Sequence, residues 1–406
     1  MKEILSGKNI VLGVCGGIAA YKSAELLRLF IKKGAKVRVI MTKSALNFVG
    51  ETTFAALSGT RVCHDLFESE TAGGGAAIRH IDWAQEADAV VIAPATANAI
   101  GKLANGIADD ALSTFMLAVT APRFICPSMN TNMYENRSVQ RNLDRLEKDG
   151  CVILEPGSGA LACGTVGPGR LPEPQEILNA VSAGLTPKDL AGKKILVTAG
   201  PTHEPLDPVR YIANPSSGKM GFAIARAAAD RGAAVTLVTG PTVLEDPPGL
   251  VVVRVKTALE MSAAVLDRFD GTDILIKSAA VSDFRPADRH DQKVKKDEAA
   301  ATIALERNPD ILKEAGRRKK RQVLVGFAAE TENLDAYAAG KLREKNLDLM
   351  VGNLITKPGA GFGTDTNQVT FFFRDDTHEQ VPLMGKDLLA HLILDRVVKL
   401  QPRQKR

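Results

Sequence analysis

Cysteine is scarce in this 406-residue chain, and its placement is uninformative for pairing. Cys15, Cys63, Cys126, Cys151 and Cys163 form an odd set with no C-x-x-C and no nearby histidine at metal spacing. That pattern argues against a disulfide framework and a zinc site and points to a reducing compartment. No apolar run reaches the roughly 18 residues that a membrane span needs. The start, "MKEILSGKNIVLGV", runs into a strand pattern without an h-region. A soluble, cytoplasmic protein is expected. Charge of one sign is also lacking: the net +5 is modest and mixed along the chain, which suits anionic small molecules no less than nucleic acid. The densest basic run, Arg317 to Arg321 ("RRKKR"), reads as a solvated helix end between a helix and the apolar "QVLVGF".

With 45% hydrophobic residues the length suits two α/β domains. Near the start, "NIVLGV", "CGG", "IAAYKSAELLRLFIKKG" and "KVRVIMT" predict a strand, turn, helix and strand. The plan recurs in "KKILVTAG", a loop, "FAIARAAADRG" and "AVTLVTG". Between the two, a helix ends near Gly184 and Pro187 follows, which places a boundary at about residue 188 and domains at 1–188 and 189–406.

Both common nucleotide fingerprints are missing from the second loop, "AGPTHEPLDPVRYIANPSSGKMG" (residues 199–221). It has no compact G-x-G-x-x-G, and Met220 follows Gly218-Lys219 where a P-loop carries a hydroxyl. Neither half ends its second strand on the acid that holds a dinucleotide ribose: Met41-Thr42 and Thr239-Gly240-Pro241 stand there instead. A nicotinamide dehydrogenase is thereby disfavoured, whereas a mononucleotide such as FMN, or a nucleotide in another pose, remains open.

Three stretches of the first half place small or polar residues where strands end: "GVCGGIAAYK", "VVIAPATANAIGKLANGIADD" and "ICPSMNTNMY". Strand C-termini of an open α/β sheet are where ligands bind, although Thr96 and Asn98 are also ordinary helix-capping types. A fourth stretch, Gly157 to Pro174, carries five glycines and three prolines around Cys163. Such a composition is expected to hold no regular element and to suit a lid, on which a thiol serves as proton donor or nucleophile.

Together, "GGIAAYK", "RHIDWAQEADAVVIAPATANAIGKLANGIADD", "PSMNTNM" and "LACGTVGPGRLPEP" resemble the flavin-dependent phosphopantothenoylcysteine decarboxylases. The 199–221 loop, "AAVSDFRP", "QKVKK", "NPDIL" and "GFAAET" resemble the phosphopantothenate–cysteine ligases. Their tandem order is that of the bifunctional bacterial coenzyme A biosynthesis proteins, and the likeness covers nearly the whole chain. It implies a flavodoxin-like decarboxylase domain followed by a Rossmann-like ligase domain.

For the first domain the resemblance implies FMN held by Gly16, Gly17, Ile18, Ala19, Thr42, Ser44, Ala95, Thr96, Ala97 and Asn98. It implies that His80 is an essential active-site histidine, that Asn130 binds the substrate carboxylate and that Cys163 protonates the product. A plain cysteinyl carboxylate would leave an unstabilised carbanion on losing CO2. Oxidation of the substrate thiol to a thioaldehyde, with FMN as acceptor, supplies the electron sink. Cys15 stands where the family usually has Ser or Thr, Ser128 where Ala is usual and Leu171 where Met is common. Cys15 bears on one hydroxyl contact to the flavin phosphate and leaves the backbone amides of Gly16 to Ala19.

For the second domain the resemblance implies that the loop receives 4′-phosphopantothenate and CTP, forming an acyl-cytidylate that the amine of L-cysteine attacks. The resemblance implies that Asn214 serves this second step, bonding the acyl carbonyl as charge develops. The implied CTP contacts are Ala279, Ala280, Val281, Asp283, Lys293, Pro309, Asp310, Ile311, Leu312, Phe327, Lys341 and Lys345, the last two four apart on one helix face. Ser282 replaces the family's common Ala, with little effect expected. Magnesium bridges the phosphates, with no protein ligand assigned. No nucleic acid or membrane partner is expected, and the assembly implied is a homododecamer of decarboxylase trimers and ligase dimers, with the flavin at a trimer interface. A nicotinamide-dependent reductase and a regulatory flavin-binding protein without turnover are the competing readings; retention of His80, Asn130 and Cys163 opposes the second.

Overall fold

The computed structural model describes residues 3–65, 79–161, 164, 166–294, 302–330, 334–354 and 363–400. The chain divides into two compact units, Lys2–Thr186 and Pro187–Arg406. Among the described residues no helix is long and apolar enough to cross a membrane.

The first unit is built on strands β1 (Asn9–Val14), β2 (Lys36–Met41), β3 (Ala89–Ala95), β4 (Arg123–Pro127) and β5 (Cys151–Ile153). They pair in parallel in the order β2-β1-β3-β4-β5. This is the flavodoxin-like order, with a switch point between β1 and β3. A parallel sheet covered by helices on both faces must be apolar throughout, and all seven residues of β3, "AVVIAPA", are buried. Alternate residues serve opposite layers. Ile10, Leu12 and Val91 join Leu26, Leu27, Phe30, Ile177 and Val181 from the helices Ala20–Lys32 and Pro174–Leu185. Val11, Val90 and Ile92 join Ile100, Leu112, Phe115 and Leu143 on the other face.

The glycine-rich stretch departs from expectation. It forms an antiparallel hairpin of β6 (Gly157–Ala160) and β7 (Val166–Arg170), rather than lacking regular structure. Its glycines serve close approach: a Cβ on Gly169, at φ +136°, would sit 2.1 Å from the carbonyl oxygen of Met129. The Met129 N–H donates to the Gly169 carbonyl at 3.0 Å, docking the hairpin on the loop after β4.

In the second unit β8 (Lys194–Ala199) leads into the long loop, which itself holds a small antiparallel pair, β9 (His203–Pro205) and β10 (Tyr211–Ala213). Then come β11 (Ala234–Thr239), β12 (Val251–Arg254), β13 (Ile274–Lys277) and the paired β14 (Phe284–Pro286) and β15 (Leu305–Arg307). The last strands are β16 (Val323–Glu330), β17 (Leu349–Leu354), β18 (Thr366–Phe373) and β19 (His378–Gly385). The main sheet runs β12-β11-β8-β13-β16-β17-β18-β19. Its first six members are parallel, in Rossmann order with a switch between β8 and β13, while β18 and β19 extend it antiparallel.

The basic run at 317–321 is only partly a solvated helix end. Arg317 and Arg318 close the helix Ile311–Arg318 on the surface, but Lys319 is half-buried, its side chain only 9% exposed. Its ammonium lies 2.6 Å from the Asp348 carboxylate and donates to the Asn346 carbonyl at 3.2 Å. An ammonium shielded from water requires such partners, which sequence pattern alone does not reveal.

Candidate functional site

Each unit opens a cavity at the C-terminal ends of its strands, beside its switch point. In the first unit a space of about 1090 Å³ is lined by Gly16, Gly17, Ile18 and Ala19 after β1 and by Thr42 and Ser44 after β2. Thr96, Ala97 and Asn98 after β3, and Ser128 and Asn130 after β4, complete the floor. The hairpin contributes Ala160, Leu161, Gly169 and Arg170, followed by Leu171. The helix Ala20–Lys32 starts here without a side-chain cap, and the Thr42 hydroxyl is buried with no hydrogen-bond partner among the described residues. An uncapped helix start beside an orphaned hydroxyl fits a phosphate-bearing cofactor.

The capping reading of Thr96 also holds: its Oγ1 accepts from the Ala99 N–H at 3.3 Å. Ala95 is buried within β3 and does not line the space. Cys15 is buried as well and is absent from the lining. Burial, partly countered by a backbone hydrogen bond at Thr96, pushes its thiol up to about 12. The Oδ1 of Asn130 accepts from the Asn132 N–H at 2.9 Å. His80 is the second residue of the helix Arg79–Glu86; its side chain lies outside the described residues, as does Cys163 between β6 and β7. Sequence reasoning missed Lys102, which lines the cavity and pairs with Asp109 at 2.6 Å and Asp110 at 2.8 Å. Those hydrogen bonds, Asp109 first, raise its pKa and keep it charged.

The second cavity, a cleft of about 460 Å³, is formed by three segments converging at the β8/β13 switch. The loop after β13 is fastened to the loop after β8. Thr198 Oγ1 accepts from Ala279 N–H at 3.1 Å, the Gly200 carbonyl from Ala280 N–H at 2.9 Å, and Thr202 Oγ1 from Ser282 N–H at 3.1 Å. Asn214 Nδ2 donates to the Val281 carbonyl at 3.2 Å, bringing the long loop against the same segment. Gly218, at φ +77°, then turns the chain into the helix Lys219–Asp230, which also lacks a side-chain cap. A Cβ on Gly218 would meet Thr242 Cγ2 at 2.8 Å, so a larger residue is excluded on both counts.

Asn214, Ala279, Ala280, Val281, Asp283, Pro309, Asp310, Ile311, Leu312, Phe327, Lys341 and Lys345 all line this cleft. Lys345 follows the helix Leu334–Glu344 rather than lying within it, yet its N–H still bonds the Lys341 carbonyl at 3.0 Å. Lys293 is exposed and is not part of the described lining. Its neighbour Val294 reaches the buried Asp207, which takes hydrogen bonds from the Arg210 guanidinium at 2.6 and 2.9 Å. That pairing, with the amides of Val209 and Arg210, holds the Asp207 carboxyl far below the usual carboxylate range despite desolvation. The Ser282 hydroxyl is buried with no partner among the described residues.

Residues 1–186 match the Flavoprotein family, and residues 190–400 match the DNA/pantothenate metabolism flavoprotein C-terminal domain. The Coenzyme A biosynthesis bifunctional protein CoaBC of Bacillus subtilis (strain 168) is 48% identical over 401 residues, covering 98% of both chains. This chain belongs to the family of bifunctional coenzyme A biosynthesis proteins. It joins a flavoprotein decarboxylase unit to a ligase unit. The relative of the same name from Escherichia coli (strain K12) is 46% identical over 399 residues, covering 97% of each chain. The solved C-terminal domain of a protein of that name is 43% identical, with TM-score 0.46, and covers 52% of this chain and 97% of its own.

In this member of the family the cleft also holds residues that motif comparison missed: Lys219, Lys277, Asn353, Asn367 and Lys386. The carboxamide oxygen of Asn353 is buried without a partner among the described residues. One of the five was discoverable, because Lys277 ends the apolar strand "ILIK" where open α/β sheets bind ligands.

Proposed function

We propose that the second unit joins 4′-phosphopantothenate to L-cysteine with CTP, and that the first decarboxylates the product to 4′-phosphopantetheine with FMN. The two activities divide at about residue 188. The observation that carries this reading is the pair of cavities at the two switch points, each lined by an uncapped helix N-terminus of the kind that suits anionic ligands.

In the ligase cleft, Ser216 to Lys219 and the start of their helix receive phosphate, while Lys341 and Lys345 add positive charge. Magnesium enters with CTP as counter-ion to its phosphates. Ala279 to Val281, Asp283, Pro309 to Leu312 and Phe327 surround the nucleotide, and Lys293 reaches its phosphates. Activation gives the acyl group a leaving group: a carboxylate oxygen bonds the α-phosphorus of CTP, forming a mixed anhydride, and pyrophosphate departs. The cysteine amine then bonds the acyl carbon, CMP leaves, and the amine gives up a proton. Asn214, fixed through Val281, stabilises the charge developing on the carbonyl oxygen.

In the first cavity the amides of Gly16 to Ala19 and the hydroxyls of Thr42, Ser44 and Thr96 hold FMN, with Ala95, Ala97 and Asn98 alongside. Bound FMN supplies a reversible two-electron oxidation of the substrate thiol. Asn130 has its carbonyl oxygen engaged by Asn132, so a substrate carboxylate meets its N–H donors. His80 acts at the same centre, and Cys163 delivers the proton that completes phosphopantetheine. The assembly is a cytoplasmic homododecamer of decarboxylase trimers and ligase dimers.

Mass spectrometry of the products formed from phosphopantothenate, cysteine, CTP and magnesium tests the reading. Phosphopantetheine, CMP and pyrophosphate are expected; formation of neither phosphopantothenoylcysteine nor phosphopantetheine by yellow, folded protein overturns it.

A further inference from the structure

Lys277 is the last residue of β13, beside the β8/β13 switch, and lines the ligase cleft. Its immediate electrostatic surroundings are Lys345, Asp310, Asp283 and Lys341. The carboxylate of Asp310 is committed elsewhere, to the Lys345 ammonium at 2.8 Å and the Lys313 N–H at 3.0 Å. No hydrogen bond joins Lys277 Nζ to any described residue, and the residue is half-buried in the wall of the cleft. An ammonium half-withdrawn from water without a hydrogen-bonded counter-charge is poorly stabilised in the empty cleft and gains when an anion arrives. We propose that Lys277 is a binding residue for the phosphate chain of the nucleotide, which supplies the anion that its ammonium lacks.

The inference rests on the ligase reading above, because the groups facing Lys277 are those assigned there to CTP. The remaining cleft lysines, Lys219 and Lys386, are engaged by Asp365 at 2.6 Å and by the Thr364 carbonyl at 2.5 Å respectively. Desolvation, reinforced by Lys345 and Lys341 and opposed by Asp310 and Asp283, lowers the Lys277 pKa to about 8. Near pH 8 a substantial share of the empty sites therefore carries a neutral amine. Binding of a polyanion restores the charge, so each site takes up a fraction of a proton at that pH and less at pH 6.5.

Titration calorimetry of the full chain with CTP and magnesium, in buffers of differing ionisation enthalpy at pH 6.5 and 8, measures affinity and proton uptake together. Lys277→Met should weaken CTP by about tenfold to a hundredfold and abolish the uptake seen at pH 8. Lys277→Arg, always charged, should retain affinity within a few-fold while also losing the uptake. Phosphopantothenate affinity and decarboxylation of supplied phosphopantothenoylcysteine should be unchanged in both variants, the latter showing that each chain is folded. Wild-type CTP affinity in Lys277→Met, uptake that persists in either variant, or a loss confined to phosphopantothenate overturns the inference. A wild-type chain that binds no CTP overturns the ligase reading itself.

Discussion

The Lys345 ammonium lies 2.8 Å from the carboxylate of Asp310, tying the residue after one cleft helix to the N-cap of another. The two oxygens of Asp310 divide the work, Oδ2 pairing with Lys345 and Oδ1 accepting from Lys313 N–H. Desolvation alone would raise its pKa, but the hydrogen bonds from Lys345 and Lys313 prevail and lower it. Asp310→Asn should keep the cap and lose the ion pair, whereas Asp310→Ala should lose both, at a further cost of about 1 kcal/mol to that helix. Amide exchange across residues 311–318 should accelerate clearly in the Ala variant and little in the Asn variant; equal acceleration would remove capping from the account.

Asp207 sets an acid limit on the ligase unit. Its folded-state pKa lies below its unfolded value of about 4, so its stabilising contribution is complete above that value and is lost as pH falls through the lower folded one. Asp207→Asn should weaken the Arg210 and Val294 contacts wherever Asp207 is ionised and slow ligation without affecting decarboxylation. Ligase activity that survives the change intact would show that this turn is dispensable.

Asn214→Asp should permit activation but block transfer, because activation needs the phosphates held and transfer needs the carbonyl oriented. An acyl-cytidylate should accumulate and be seen by mass spectrometry. A variant that makes neither intermediate nor product would place Asn214 in binding or folding instead.

Lys293→Gln should reduce CTP-dependent turnover roughly tenfold to a hundredfold, the worth of a charge-assisted phosphate contact, and spare decarboxylation. Because Lys293 is exposed outside the described cleft lining, the experiment asks whether its segment moves to the nucleotide. Unchanged ligation would confine the phosphate-binding charge to the cleft lysines.

Cys163→Ser should still bind FMN and release CO2, steps that precede protonation, and then stall. A serine hydroxyl is far less acidic than a thiol, whose ordinary pKa is about 8.5. About one equivalent per site of a product two hydrogens lighter than phosphopantetheine should form anaerobically, together with loss of the yellow flavin absorbance. Normal product at the wild-type rate would exclude Cys163 from proton delivery.

The sequence by itself determined the two α/β halves, their strands and the segments at the strand ends, because apolar runs and turn residues act locally. Long motifs such as "PSMN" and "NPDIL" also carried the family, and those segments do line the two cavities. What only tertiary structure decided was the company each residue keeps. Lys277, Asn353, Asn367 and Lys386 are scattered along the chain and meet because β13 and β16 pair in parallel beside β8 while β18 and β19 continue the sheet antiparallel beyond β17. Periodicity states which face of a strand is apolar, not which strand lies beside it. The same limit hid the pairing of Lys319 with Asp348 and the docking of Gly169 on Met129. In both, a local pattern that suggests solvent or flexibility is overruled by a neighbour distant in sequence, since burial and close approach are properties of the packed chain.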